Sequence, residues 1–113
     1  MGKYLLLMYN KEMRMPKHPT KKQMEEGMKP WNDYLGPLMK KGIVESVSPV
    51  QWSGKAITKT GAKDYKPAKI DLGGYMILNA KNMAEAVKIA QRSPHAKAGM
   101  GTTTVREIVV MPR

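Results

Sequence analysis

The chain has 113 residues, 42% of them apolar, and carries 20 Lys plus Arg against 9 Asp plus Glu, a formal net charge of +11. That balance fits one globular domain and excludes a wholly disordered chain, a fibrous repeat and a disulfide scaffold. It contains no Cys, so thiol nucleophiles, cysteine zinc sites and iron–sulfur clusters are excluded too.

In chain order, residues 3–9 open the pattern. Tyr4, Leu6 and Met8 alternate with Leu5, Leu7 and Tyr9, so both faces of a strand here are apolar and both need cover. The run Tyr4–Tyr9 is too short for a signal sequence or a membrane span, and the reading is a cytoplasmic chain with no membrane partner. Residues 10–19 are polar and contain Pro, which predicts a loop. Thr20 with Gln23 three residues on is a capping-box pattern. Met24, Met28, Trp31, Leu35, Leu38 and Met39 then fall on one helical stripe. A helix over about residues 20–41 follows, kinked or broken near Pro30 or Pro37, with Lys40, Lys41 and Gly42 as its C-terminal signal.

Ile43–Val50 predicts a second strand. Residues 51–70, with Gly54, Gly61 and Pro67, predict an exposed hairpin or arm. Leu72–Asn79 is a third strand, again apolar on both faces at Tyr75-Met76-Ile77-Leu78. Asn82 is a predicted N-cap with Glu85 at N3, opening a short helix to about Arg92 that Ser93-Pro94 stops. Residues 95–101 predict a loop and Thr103–Met111 a fourth strand. The order β-α-β-(arm)-β-α-β is the split βαβ of an α+β, ferredoxin-like fold. Its two helices cover one sheet face. The other face stays apolar and bare unless two copies stack face to face as a dimeric α/β barrel. The expected partner is therefore a second copy of the chain.

The basic excess raises a nucleic-acid surface, but 16 of the 20 basic residues are Lys and they are spread along the chain. Bidentate base reading favours Arg, so the composition argues against a nucleic-acid partner and for a solvated, repulsive surface. His95, after a Pro at a helix end and before a Gly-rich loop, is the candidate acid or base at the mouth of the dimer cleft, with a loop-packing or helix-terminus residue as the plainer alternative. His18 sits in a polar loop and reads as inert. Two such His without carboxylates at ligand spacing make no metal site, and no cofactor fingerprint is present. Trp31 and Tyr34, one helical turn apart, are candidates to line an aromatic ligand pocket, with core packing as the plainer alternative. Tyr9 and Tyr75 are candidates to orient a ligand through their hydroxyls.

Leu72-Gly73-Gly74-Tyr75-Met76-Ile77-Leu78 followed by Met83-Ala84-Glu85-Ala86-Val87 resembles the YCII-related family in its DGPF-type branch. So do Ser93-Pro94-His95, Val105-Arg106-Glu107-Ile108, the opening Lys3–Tyr9, and Trp31 to Gly36 with Lys41-Gly42. The resemblance implies a dimeric α/β barrel and, in some relatives, chemistry on hydroxylated aromatics. Where the branch has its Asp-Gly-Pro-Phe turn, this chain has Ala62-Lys63-Asp64-Tyr65, so the acid is either absent or displaced to Asp64. Trp31 stands where the relatives credited with chemistry carry a first-helix His. The expectation is a homodimeric binder of a small aromatic or cyclic molecule, with His95 and Asp64 as candidates for proton transfer and a surface ion pair with its Lys neighbours as the plainer reading of Asp64. The alternative is a non-catalytic regulatory or interaction module using the Lys-rich surface.

Overall fold

The computed structural model describes residues 2–11 and 18–112, so most of the loop expected over residues 10–19 lies outside the described residues. The elements are β1 (Gly2–Asn10), α1 (Lys21–Lys40), β2 (Val44–Pro49), β3 (Lys55–Thr58), β4 (Gly61–Asp64), β5 (Asp71–Ala80), α2 (Met83–Gln91), α3 (Pro94–Lys97) and β6 (Gly101–Glu107). The main sheet is antiparallel in the order β2-β5-β1-β6, and β3 and β4 form a separate hairpin. With the hairpin set aside, this is the split βαβ, ferredoxin-like arrangement.

The two strands with apolar residues on both faces, β1 and β5, take the two central positions. Tyr4, Leu6 and Met8 of β1 and Met76, Leu78 and Ala80 of β5 are buried together with Leu35 of α1 and Ala86, Ile89 and Ala90 of α2. Both long helices therefore lie on that one face. The N-cap expected at Thr20 is present as a full capping box: Gln23 N–H donates to Thr20 Oγ1 at 3.1 Å, and Thr20 N–H to Gln23 Oε1 at 3.0 Å. Asn82 caps α2 by accepting from Glu85 N–H at 3.0 Å.

Four local expectations need correction. α1 runs unbroken through Pro30 and Pro37. Both prolines are exposed, so water can serve the carbonyls whose bonds they remove. Of its predicted stripe, only Trp31, Leu35 and Leu38 pack on the core, and Met24, Met28 and Met39 are exposed. Residues 94–97 are a helical turn, because Pro94 starts a helix at N1 while the Ser93 hydroxyl caps it by accepting from Ala96 N–H. β6 begins two residues early and stops at Glu107. The last ladder-like bond is Ile108 N–H to the Lys3 carbonyl, and no pairing of later residues with β1 follows it among the described residues. Val109, Val110 and Met111 are consequently an exposed apolar tail, Val110 at 85%.

Candidate functional site

β-strand alternation sends neighbours to opposite faces, and the cross-strand register then fixes the sheet face that no helix covers. Arg106, Leu5, Ile77 and Ser46 form one row across it. Thr104, Leu7, Tyr75 and Ser48 form the next, and Thr102, Tyr9 and Leu72 the last. The middle of the face is an apolar stripe of Leu5, Leu7, Ile77 and the Tyr75 ring, flanked by hydroxyls on both edge strands. The Tyr75 and Ser46 hydroxyls lie 3.1 Å apart in a hydrogen bond. The Thr104 hydroxyl is buried without a partner among the described residues. Lys3 is paired with Glu45 at one end of this face.

Tyr9 and Tyr75, two of the four predicted ligand-lining residues, thus share the open face. Trp31 and Tyr34 do not join them. Their rings meet edge to face, 5.9 Å between centroids, and both pack against the helix-side core. The Tyr34 hydroxyl donates to the Ile89 carbonyl at 2.6 Å and ties α1 to α2. Burial pushes the Tyr34 phenol up to about 12, and the Arg92 charge opposes this weakly.

His95 is also on the helix side, only 3% exposed. Its partner Thr103 pairs with Met8 in the register and so shares the buried face. Nε2 lies 3.2 Å from the Tyr9 carbonyl and 2.8 Å from Asn10 Oδ1, while Nδ1 lies 3.0 Å from the Thr103 hydroxyl. A carbonyl only accepts, so Nε2 carries the proton and Nδ1 accepts from Thr103. Burial lowers the pKa of this ring, and the Tyr9 carbonyl partly offsets it. The strand end it grips is tightly built. A Cβ at Gly101 would lie 1.8 Å from the Tyr9 carbonyl oxygen, and one at Gly73 would lie 2.1 Å from the Asn10 amide. Both ring nitrogens are thus committed to holding the end of β1.

Asp64 is exposed on the hairpin and paired with Lys55. No hydrogen bond or ion pair joins it to His95. The structured acid of this region is Asp71, whose carboxylate accepts from the Tyr65 hydroxyl and from the Ala68 and Leu72 N–H groups. Those donors, Tyr65 first, hold it below the usual carboxylate range. The sequence signal for it was Tyr65, an aromatic with a hydroxyl where the related branch has Phe. Asn10 and Thr103, the grip on His95, had no sequence signal. Among the described residues no three His or carboxylate groups gather as a metal centre requires, and no helix is long and apolar enough to cross a membrane.

This geometry defines a ferredoxin-like α+β protein with one helix-packed and one open sheet face. A model of the YCII-related domain matches residues 2–112, and the chain belongs to that family. No curated protein matches it. Among solved structures it is similar to 5-chloro-2-hydroxyhydroquinone dehydrochlorinase from Burkholderia phenoliruptrix AC1100, in complex with 2,5-dihydroxybenzoquinone. The two share 19% identity over 92% of this chain and 90% of that one, with a TM-score of 0.53, a likeness of fold.

Proposed function

We propose that two copies of this chain stack their open sheet faces and enclose a cavity that binds a small, oxygen-bearing ring compound. The observation that carries this reading is the apolar stripe of Leu5, Leu7, Tyr75 and Ile77 on a face without helices. The surface area supports it. The single chain exposes 8466 Å², about 2,200 Å² more than a compact monomer of this mass, an excess to which the exposed hairpin and the Val109–Met111 tail contribute along with the half-buried open face. A standard interface takes about 800 Å² from each partner. The radius of gyration, 15.5 Å, exceeds the value near 13 Å expected for a compact domain of about this length.

Within the cavity, Leu5 and Leu7 form the floor for the ring, and the Tyr75–Ser46 hydroxyl pair and Tyr9 supply orienting polar groups. The ligand of the related dehydrochlorinase is a ring of this kind. Trp31 and Tyr34 serve to hold the helices together, and His95 to fix the strand end that presents Tyr9. No proton-transfer step is assigned to His95 or Asp64.

Sedimentation velocity at micromolar concentration is expected to show a dimer. Ligand-detected NMR is expected to show saturable binding of 2,5-dihydroxybenzoquinone. A stable single subunit with no ligand signal overturns the proposal.

A further inference from the structure

We infer that Arg106 is the anion-recognising residue of this cavity, so that the ligand is a ring compound carrying an ionised oxygen, a carboxylate or an acidic enol. The inference rests on the face-to-face reading above and names the ligand chemistry within it.

The argument is one of charge left over. The register places two cationic side chains on the open face, Lys3 and Arg106. Lys3 has its counter-charge in Glu45. Arg106 has no acidic partner among the described residues. Glu107, next to it, alternates to the opposite face. Glu45 is therefore the carboxylate this face offers, and it is already in use.

Stacking a second copy does not change that balance. A two-fold interface joins the same patch on both subunits, so the partner brings another paired Lys3 and Glu45 and another Arg106. A guanidinium does not give up its proton. Closing a second sheet over it removes water and leaves a charge that is costly unless an anion meets it. With no spare carboxylate on this face among the described residues of either copy, the anion is assigned to the ligand.

The surroundings fit such a ligand. Leu5 lies beside Arg106 in the same row, with Leu7 in the next, which gives a flat apolar floor for a ring. Thr104 sits two residues along β6 on the same face, roughly 6.6 Å away along the strand, with its hydroxyl unpartnered. The chain is Lys-rich, with four Arg among its 20 basic residues. The one on this face has the planar fork suited to a two-oxygen anion, which Lys lacks. The net charge of +11 favours the arrival of an anion.

The test compares 2,5-dihydroxybenzoquinone, whose hydroxyls ionise, with 2,5-dimethoxybenzoquinone, which has the same ring and cannot ionise. Both are titrated at pH 7.5 against the wild-type protein, Arg106→Gln and Arg106→Lys, with sedimentation on each variant. The wild type is expected to prefer the anion. Arg106→Gln should lose about 10- to 100-fold in affinity for the anion, with unchanged affinity for the dimethyl ether and unchanged sedimentation. Arg106→Lys should restore only part of the loss. Equal binding of the anion by wild type and Arg106→Gln overturns the inference and leaves the cavity reading standing. A weaker dimer, with affinity falling only in step with it, assigns Arg106 to the interface and also overturns it. A wild type that binds neither quinone removes the cavity reading, and this inference with it.

Discussion

Replacing His95 with Leu removes three polar contacts from a position that water barely reaches. The ring keeps the Tyr9 carbonyl, the Asn10 side chain and the Thr103 hydroxyl satisfied. The carbonyl keeps its ladder partner on β6, so losing the ring's bond costs about 0.5–1.5 kcal/mol. Asn10 and Thr103 are half-buried and can rotate toward solvent, so each adds less. A total of about 1–3 kcal/mol follows, a fall of about 4–12 °C in Tm for a domain of this size. The pH dependence separates this account from generic loss of packing. Because burial lowers the folded-state pKa of His95, the unfolded chain takes up the proton first. Stability is then full above about pH 6.5, the ordinary His value. It falls as pH drops through that value, by at most about 1.4 kcal/mol per pH unit for one proton, and levels off once the folded ring protonates. Urea unfolding of both proteins at intervals from pH 8 to pH 5.5 reads this directly. The wild type should lose stability on acidification, and His95→Leu should start lower and lose less. Parallel curves for the two proteins, or a His95→Leu variant as stable as wild type at pH 8, would refute the reasoning.

Leu6→Ala removes a fully buried side chain from the centre of β1 and should cost about 2–5 kcal/mol in chemical denaturation. Tyr34→Phe should change the alkaline limb of the stability profile. The folded phenol ionises near 12 and the unfolded one near 10, so wild-type stability falls as pH rises between those values, and the variant should lack that fall. Leu7→Asp places a charge in the middle of the open face, so sedimentation should show a monomer whose circular dichroism remains folded. Gly101→Ala brings a methyl group against the Tyr9 carbonyl oxygen, and a thermal melt should show a loss of about 1–3 kcal/mol or more.

Some features of this protein depend only on neighbours in the chain, and these were readable from the residues. Thr20 with Gln23 and Asn82 with Glu85 mark helix starts, because a cap reaches only two or three residues. The double apolar alternation at Tyr4–Tyr9 and Tyr75–Leu78 identifies strands that need cover on both sides, and these became the two central strands. The order of elements, and with it the ferredoxin-like α+β fold, followed from such local signals.

What the residues alone left undecided was which side of the sheet each functional candidate would face. Alternation separates Tyr9 from Met8, but it cannot say which of them the helices will choose. That choice is made by pairing between residues far apart in sequence, such as Leu7 with both Tyr75 and Thr104. The helices then pack on the face bearing Leu6, Met76 and Leu78. Only in the tertiary structure do Tyr9 and Tyr75 part from Trp31 and Tyr34. His95 likewise turns inward because Ser93 and Pro94 start one more helical turn and aim the ring at the end of β1. A side chain's direction at a site is settled by long-range pairing and packing, whereas caps and strand periods are settled within a few residues.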